Sequence, residues 1–174
     1  MKRRSVIKGL AAGTALTLGG GLVYISRPAD HPELALDRAL DRLHGLRADA
    51  IETDSAWDVA RTFNHLAQSI EFSMTGYPEL KSGLFRHTVG RVAYNVFQTR
   101  GEMSHNRAEV IPGEVIETSD PETARQRLIT SLMAFQAFDA DLRPHFAYGS
   151  LPKDAYAKAH VMHINDHLAE FRVI

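Results

Sequence analysis

No cysteine occurs among the 174 residues, so disulfides and thiolate ligands are both excluded, and an oxidising compartment poses no hazard to the chain. Other absences narrow the chemistry further. There is no G-x-S-x-G elbow for a serine nucleophile and no G-x-G-x-x-G or Walker-type loop for a nucleotide. The zincin signature H-E-x-x-H is also missing, because Ile164 follows His163 where the general base would stand. Only one E-x-x-H match, Glu102 and His105, lies in the chain, and it falls in a stretch without helical period. A di-metal carboxylate bundle needs two such motifs on helices and two further glutamates, so a di-iron site is not expected.

A basic surface is lacking as well. Residues 1–28 hold five of the 20 basic residues (Lys2, Arg3, Arg4, Lys8 and Arg27) and none of the 21 acidic ones, which leaves 15 against 21, a formal charge of −6, for residues 29–174. That balance argues against a nucleic-acid partner, which needs a concentrated basic face. The leading 28 residues themselves read as an export segment, with a basic start, an apolar run and a polar exit. KRRSVIKG resembles a twin-arginine motif, Arg3 and Arg4 forming the pair. The run from Gly9 to Ile25 is 17 residues with five glycines, at the short edge of the roughly 20 needed to span a bilayer. A removable leader is expected, with an uncleaved membrane tether as the alternative, since no clean small-x-small site lies near Ser26. Localisation is then periplasmic, or attached to the outer face of the inner membrane. Residues 29–174 suit one domain with one core.

What is present is helical period. Leu36, Leu40, Leu43 and Leu46 predict an amphipathic helix within 32–50, on which His44 reads as solvated. Trp57 opens a second, with Val59, Phe63, Leu66 and Ile70 as its core stripe and Thr62, His65, Ser69 and Phe72 as a semi-polar flank, ending before Gly76. Phe85, Val89, Val92 and Val96 predict a third over 84–100. Residues 101–120 carry no period and read as a long connection. A fourth helix starts at Pro121 after Ser119 and Asp120, carries Leu128, Leu132, Phe135, Phe138 and Leu142, and stops at Pro144. No strand is predicted. The expected architecture is an all-α bundle with a long crossover.

The last helix, expected from Pro152 to Phe171, belongs to a stretch that gathers four of the nine histidines into the final 31 residues. With about 100° per residue, His163 and His167 lie about 40° apart, His160 about 20° from His167, and Glu170 about 20° from His163. Four potential ligands thus share one face, and an i,i+4 histidine pair lets two imidazoles reach one ion from a rigid backbone. The same spacing also suits solvated or core histidines, and a third ligand must come from another element. For His65 the competing reading is a histidine hydrogen-bonded at a helix interface.

The segments WDVARTFNHLAQSIEFSMTGYP, FRHTVG, GEMSH, IPG and PHFAYGSLPKDAYAKAHVMHINDHLAEF resemble the successive motifs of an uncharacterised, often twin-arginine-exported family of the DinB/YfiT-like metalloenzyme superfamily. The resemblance covers most of residues 55–172. It implies a four-helix bundle with an additional helix, and a divalent metal, nickel or zinc, held by His65, His163 and His167. Two departures stand out: Glu170 where relatives often carry glutamine, and Tyr156 where a tryptophan is frequent.

Three neutral imidazoles leave positions open for water or substrate, as in catalytic sites. The leading expectation is therefore a metal-dependent hydrolase or thiol transferase acting on a small molecule, for example a thiol. A non-catalytic periplasmic bundle holding a metal or small ligand is the alternative, and a structural bundle with buried histidines a third. Glu170 is the candidate catalytic carboxylate, with a role orienting an imidazole, or an exposed helical position, as its other readings. His145, Tyr148 and His160 are candidates for the pocket.

Overall fold

A computed structural model describes residues 31–115 and 119–174. The expected export segment lies outside them. Among the described residues the chain is mostly helical: α1 Leu36–Gly45, α2 Val59–Thr75, α3 Gly83–His87, α4 Val89–Arg100, α5 Pro121–Ala137 and α6 Lys153–Leu168. Two short strands, β1 Ile51–Thr53 and β2 Phe171–Val173, pair antiparallel. Helices α1, α2, α5 and α6 pack against one another as a bundle, α2 chiefly on α5.

Local chemistry sets the helix starts. Asp58 caps α2 by accepting from the Arg61 N–H at 2.7 Å, and Asp120 caps α5 by accepting from Glu122 and Thr123 ahead of Pro121 at the first helical position. Helix α2 is buried almost all round: Phe63, Leu66 and Ile70 are at most 1% exposed, and so is His65 on the flanking stripe. Full burial of each such aliphatic or aromatic side chain contributes about 1.5–3 kcal/mol, so this helix holds a polar stripe inside the core only because its apolar stripe is so well packed. On the far side Arg127 of α5 pairs with Glu71 of α2 at 2.8 Å, and Ser131 donates to the same carboxylate at 2.7 Å.

The structure corrects several expectations. The strand pair was not predicted, because three residues are too few to show a period of two. Its register, Ile51 with Val173 and Thr53 with Phe171, ties the end of α6 to the approach to α2. Phe171 meets Phe63 edge-on at 5.4 Å. The last helix therefore ends at Leu168, and the fourth at Ala137, with Leu142 beyond it and only partly buried. The first predicted helix is a 3₁₀ turn, a short helix and a second 3₁₀ turn.

The third predicted helix breaks at Thr88, whose φ of −118° and ψ of −92° are not helical. The break rotates the apolar stripe outward, so Val89 and Val92 are 58% and 59% exposed while Gly90 and Tyr94 face in. Gly90 is there because the chain comes so close: a Cβ at that position would lie 1.9 Å from the Ala147 carbonyl oxygen. Neither backbone can give way cheaply, so Gly90→Ala is expected to cost about 1–3 kcal/mol, read as a lower midpoint in urea unfolding.

Candidate metal centre

Four imidazoles converge in the bundle interior. His65 comes from α2, His163 and His167 from successive turns of α6, and His105 from the long connection, and one nitrogen of each lies within 4.8 Å of all the others. The three sequence candidates are thus brought together with a fourth histidine. His65 and His167 are 1% exposed, and the His105 side chain 29%.

The hydrogen bonds decide where the protons sit. The Nδ1 of His65 lies 2.7 Å from Glu114 Oε2, a carboxylate oxygen that also accepts from the Ile111 N–H at 3.1 Å. A carboxylate can only accept here, so His65 carries a proton on Nδ1, and its ring in the neutral form offers Nε2 as a lone pair. His163 Nδ1 lies 3.4 Å from Ser69 Oγ, and the Ser69 hydroxyl already donates to the Leu66 carbonyl at 2.8 Å. Its Nε2 is therefore bare as well. The two Nε2 atoms lie 3.3 Å apart, which is repulsive when both are lone pairs and is about the separation of two nitrogens on a tetrahedral ion bound at 2.0–2.1 Å. The Nε2 of His167 is buried without any hydrogen-bond partner. His105 Nδ1 sits 2.9 Å from Asp166 Oδ2. That oxygen lacks a well-aligned hydrogen bond, so the contact is an electrostatic one that favours the proton on Nδ1. Arg107 Nη2 donates to the other oxygen of Asp166 at 2.7 Å.

Burial disfavours the charged form of three of these rings. Burial, then the neighbouring His65 and His167, push His163 well below the usual imidazole range. Burial and His65 bring His167 down to about 3, and burial lowers His105 against the opposing pull of Asp166. Neutral imidazoles with bare, converging nitrogens are what a divalent cation requires. Trp57 closes the far side, edge-on to His65 at 4.8 Å and stacked on His167 at 6.1 Å.

A cavity of about 190 Å³ opens beside the cluster, bordered by His65, His105 and His163 and also by His145, Tyr148 and His160. His160 is not among the converging nitrogens; its Nε2 lies 3.2 Å from Ser73 Oγ. Glu170, beyond the end of α6, pairs with Arg107 at 3.2 Å and lies neither in the cluster nor on the cavity wall. The carboxylates that touch cluster imidazoles are Glu114 and Asp166 instead.

His105 and Glu114 escaped the sequence reading because both stand in the aperiodic 101–120 stretch, where spacing says nothing about which way a side chain faces. Asp166, one residue before His167, was the more readable, since a carboxylate near a ligand histidine is a recurrent outer partner. Glu114→Gln keeps the shape and removes the charge behind His65, and is expected to weaken metal binding about 10–100-fold with the fold intact. Competitive titration against a chelator, with circular dichroism as the control, checks it.

The family described as a protein of unknown function, DUF1569, matches residues 30–173. No curated protein and no solved structure matches the chain.

Proposed function

We propose, from the premise that this chain belongs to the DUF1569 family, that it is a metal-dependent enzyme of hydrolase or thiol-transferase type. In this reading its bundle is of the DinB/YfiT-like kind, and one nickel or zinc ion is held by His65, His163 and His167. The observation that carries the metal is the convergence of one nitrogen from each of four imidazoles within 4.8 Å, with His65 and His163 facing at 3.3 Å.

The residues fit such an ion, and each has a definable task. Glu114 and Ser69 hold the tautomers of His65 and His163, so the lone pairs point inward before any ion arrives. His105, the one member of the cluster that comes from a loop, borders the cavity and would supply a fourth imidazole. Asp166, 2.9 Å from His105 Nδ1, can steady a proton on that ring. The ion, when bound, supplies Lewis acidity that lowers the pKa of a water or thiol towards neutrality. The apolar cavity would exclude bulk water from that group.

The substrate is then a small molecule, a thiol among the candidates, and nucleic acid is not a partner. Export by the twin-arginine-like leader would place the domain in the periplasm or on the outer face of the inner membrane. Among the described residues no helix is long and apolar enough to cross a membrane, so any membrane attachment would reside in the N-terminal segment.

A fourth imidazole also favours the alternative, a periplasmic binding bundle, because four ligands can close a tetrahedral site. Two measurements separate the readings. Nickel or zinc near one equivalent after mild purification supports the centre; less than about a tenth of an equivalent, with no stabilisation by added metal, removes it. Turnover of thiol or ester substrates by the loaded protein, lost in His65→Ala, then distinguishes enzyme from binding module.

A further inference from the structure

Two histidines on the cavity wall, His145 and His160, take no part in the four-histidine cluster. Their hydrogen bonds fix the tautomer of each. His145 Nδ1 accepts from the backbone N–H groups of Ala147 at 3.1 Å and Tyr148 at 3.2 Å, so its lone pair is on Nδ1 and its proton on Nε2. In His160 the order is set by a hydroxyl. Ser73 donates its proton to the Ile70 carbonyl at 2.6 Å, so its oxygen accepts from His160 Nε2 at 3.2 Å. That leaves His160 Nδ1 bare.

The free atoms are therefore a donor, His145 Nε2–H, and an acceptor, His160 Nδ1. Neither has a hydrogen-bond partner among the described residues, and neither is among the side-chain atoms sealed away without one. Both rings border the cavity, and His160 is otherwise only 4% exposed. Tyr77, Phe85, Phe146 and Tyr148 make much of the remaining wall aromatic, with Tyr148 stacked on His145 at 4.2 Å. Lys81 and Glu109, the charged lining residues outside the histidines, are exposed. At about 190 Å³ the space exceeds the roughly 150 Å³ that accommodates benzene in an engineered apolar cavity.

We infer that this cavity binds a neutral molecule of single-ring size, whose hydroxyl or amide group accepts a hydrogen bond from His145 Nε2 and donates one to His160 Nδ1. That the ligand is the substrate of the neighbouring metal centre rests on the function proposed above; the subsite itself does not. Carboxylates and phosphates are disfavoured, because such an anion would meet the bare His160 nitrogen and apolar walls, while the lining cation Lys81 is exposed and screened by solvent. Simple hydrocarbons leave both histidine atoms unpaired and lose affinity for that reason.

Benzamide, benzoate and toluene titrated into the metal-free full chain test this. Benzamide is expected to bind with a Kd of about 1 mM or tighter, and at least about tenfold more tightly than either of the others. His160→Phe preserves the ring volume and removes the acceptor, and should bring benzamide down to the level of toluene. Benzoate binding as tightly as benzamide, or no benzamide binding up to about 10 mM, overturns the subsite. Should His160→Phe not fold, ¹⁵N shifts of the histidine rings in the unsubstituted protein decide: both are expected as Nε2–H tautomers, and Nδ1–H at either overturns it. Zinc titration of the same protein reads the metal centre separately, so the loss of one result leaves the other standing.

Discussion

His65→Ala, His163→Ala or His167→Ala is expected to abolish binding of nickel and zinc, and His160→Ala to leave it at the level of the unsubstituted protein. The three belong to helices α2 and α6 that the core holds rigidly, and each presents a nitrogen to the same point. Losing one ligand from such a set is expected to cost at least about a hundredfold in affinity, whereas loop-borne His105→Ala should cost about tenfold. The effect extends to stability. Metal at about a thousand times its Kd adds about 4 kcal/mol, or roughly 10 °C in Tm for a domain of this size. The three variants should show none of that gain. Isothermal titration and thermal melts with and without zinc measure both quantities; equal loss in His160→Ala and His163→Ala would show the ligand set to be wrong.

The metal-free protein is expected to lose stability as pH falls below about 6.5. Burial holds His145 and His160 at about 3 in the folded chain, and burial with neighbouring imidazoles does the same for His167, against an ordinary value of 6.5. Folded values lowered in this way mean that the unfolded chain binds more protons, so the stability is complete above 6.5 and drains away as pH drops from there towards 3. Each such histidine contributes a slope of up to about 1.4 kcal/mol per pH unit. Three of them set a ceiling of about 4 kcal/mol per unit, comparable to much of a domain's entire stability of about 5–15 kcal/mol. Urea unfolding of the metal-free protein between pH 7.5 and 4.5 reads the slope. His160→Gln should flatten it by about one proton, and a stability unchanged from pH 7 to 5 would exclude neutral burial of these rings.

Much of the helical skeleton was legible from periodicity. Phe63, Leu66 and Ile70 on α2 and Leu128, Leu132 and Phe135 on α5 are fully buried stripes at the spacing that the sequence displays. The stripe Phe85, Val89, Val92 and Val96 misled, because periodicity reports which residues share a face and not whether the helix continues through Thr88 or which way that face turns. The angular place of Glu170 beside His163 likewise requires the helix to run on, and the chain instead leaves α6 at Leu168 and pairs β2 with β1.

By itself the sequence determined the helical class, the absence of disulfides and cysteine ligands, and the i,i+4 pair His163 and His167 with His65 on a flanking stripe. These depend on neighbours within a few residues along one chain, where 3.6 residues per turn sets the geometry. Only the tertiary structure decided that His105 joins them, that Glu114 and Asp166 stand behind His65 and His105, and that His145 offers a donor while His160 offers an acceptor. Each of those facts is a contact between segments far apart in sequence or within an aperiodic loop, and a proton's place on an imidazole is set by whichever partner the fold brings to its other nitrogen.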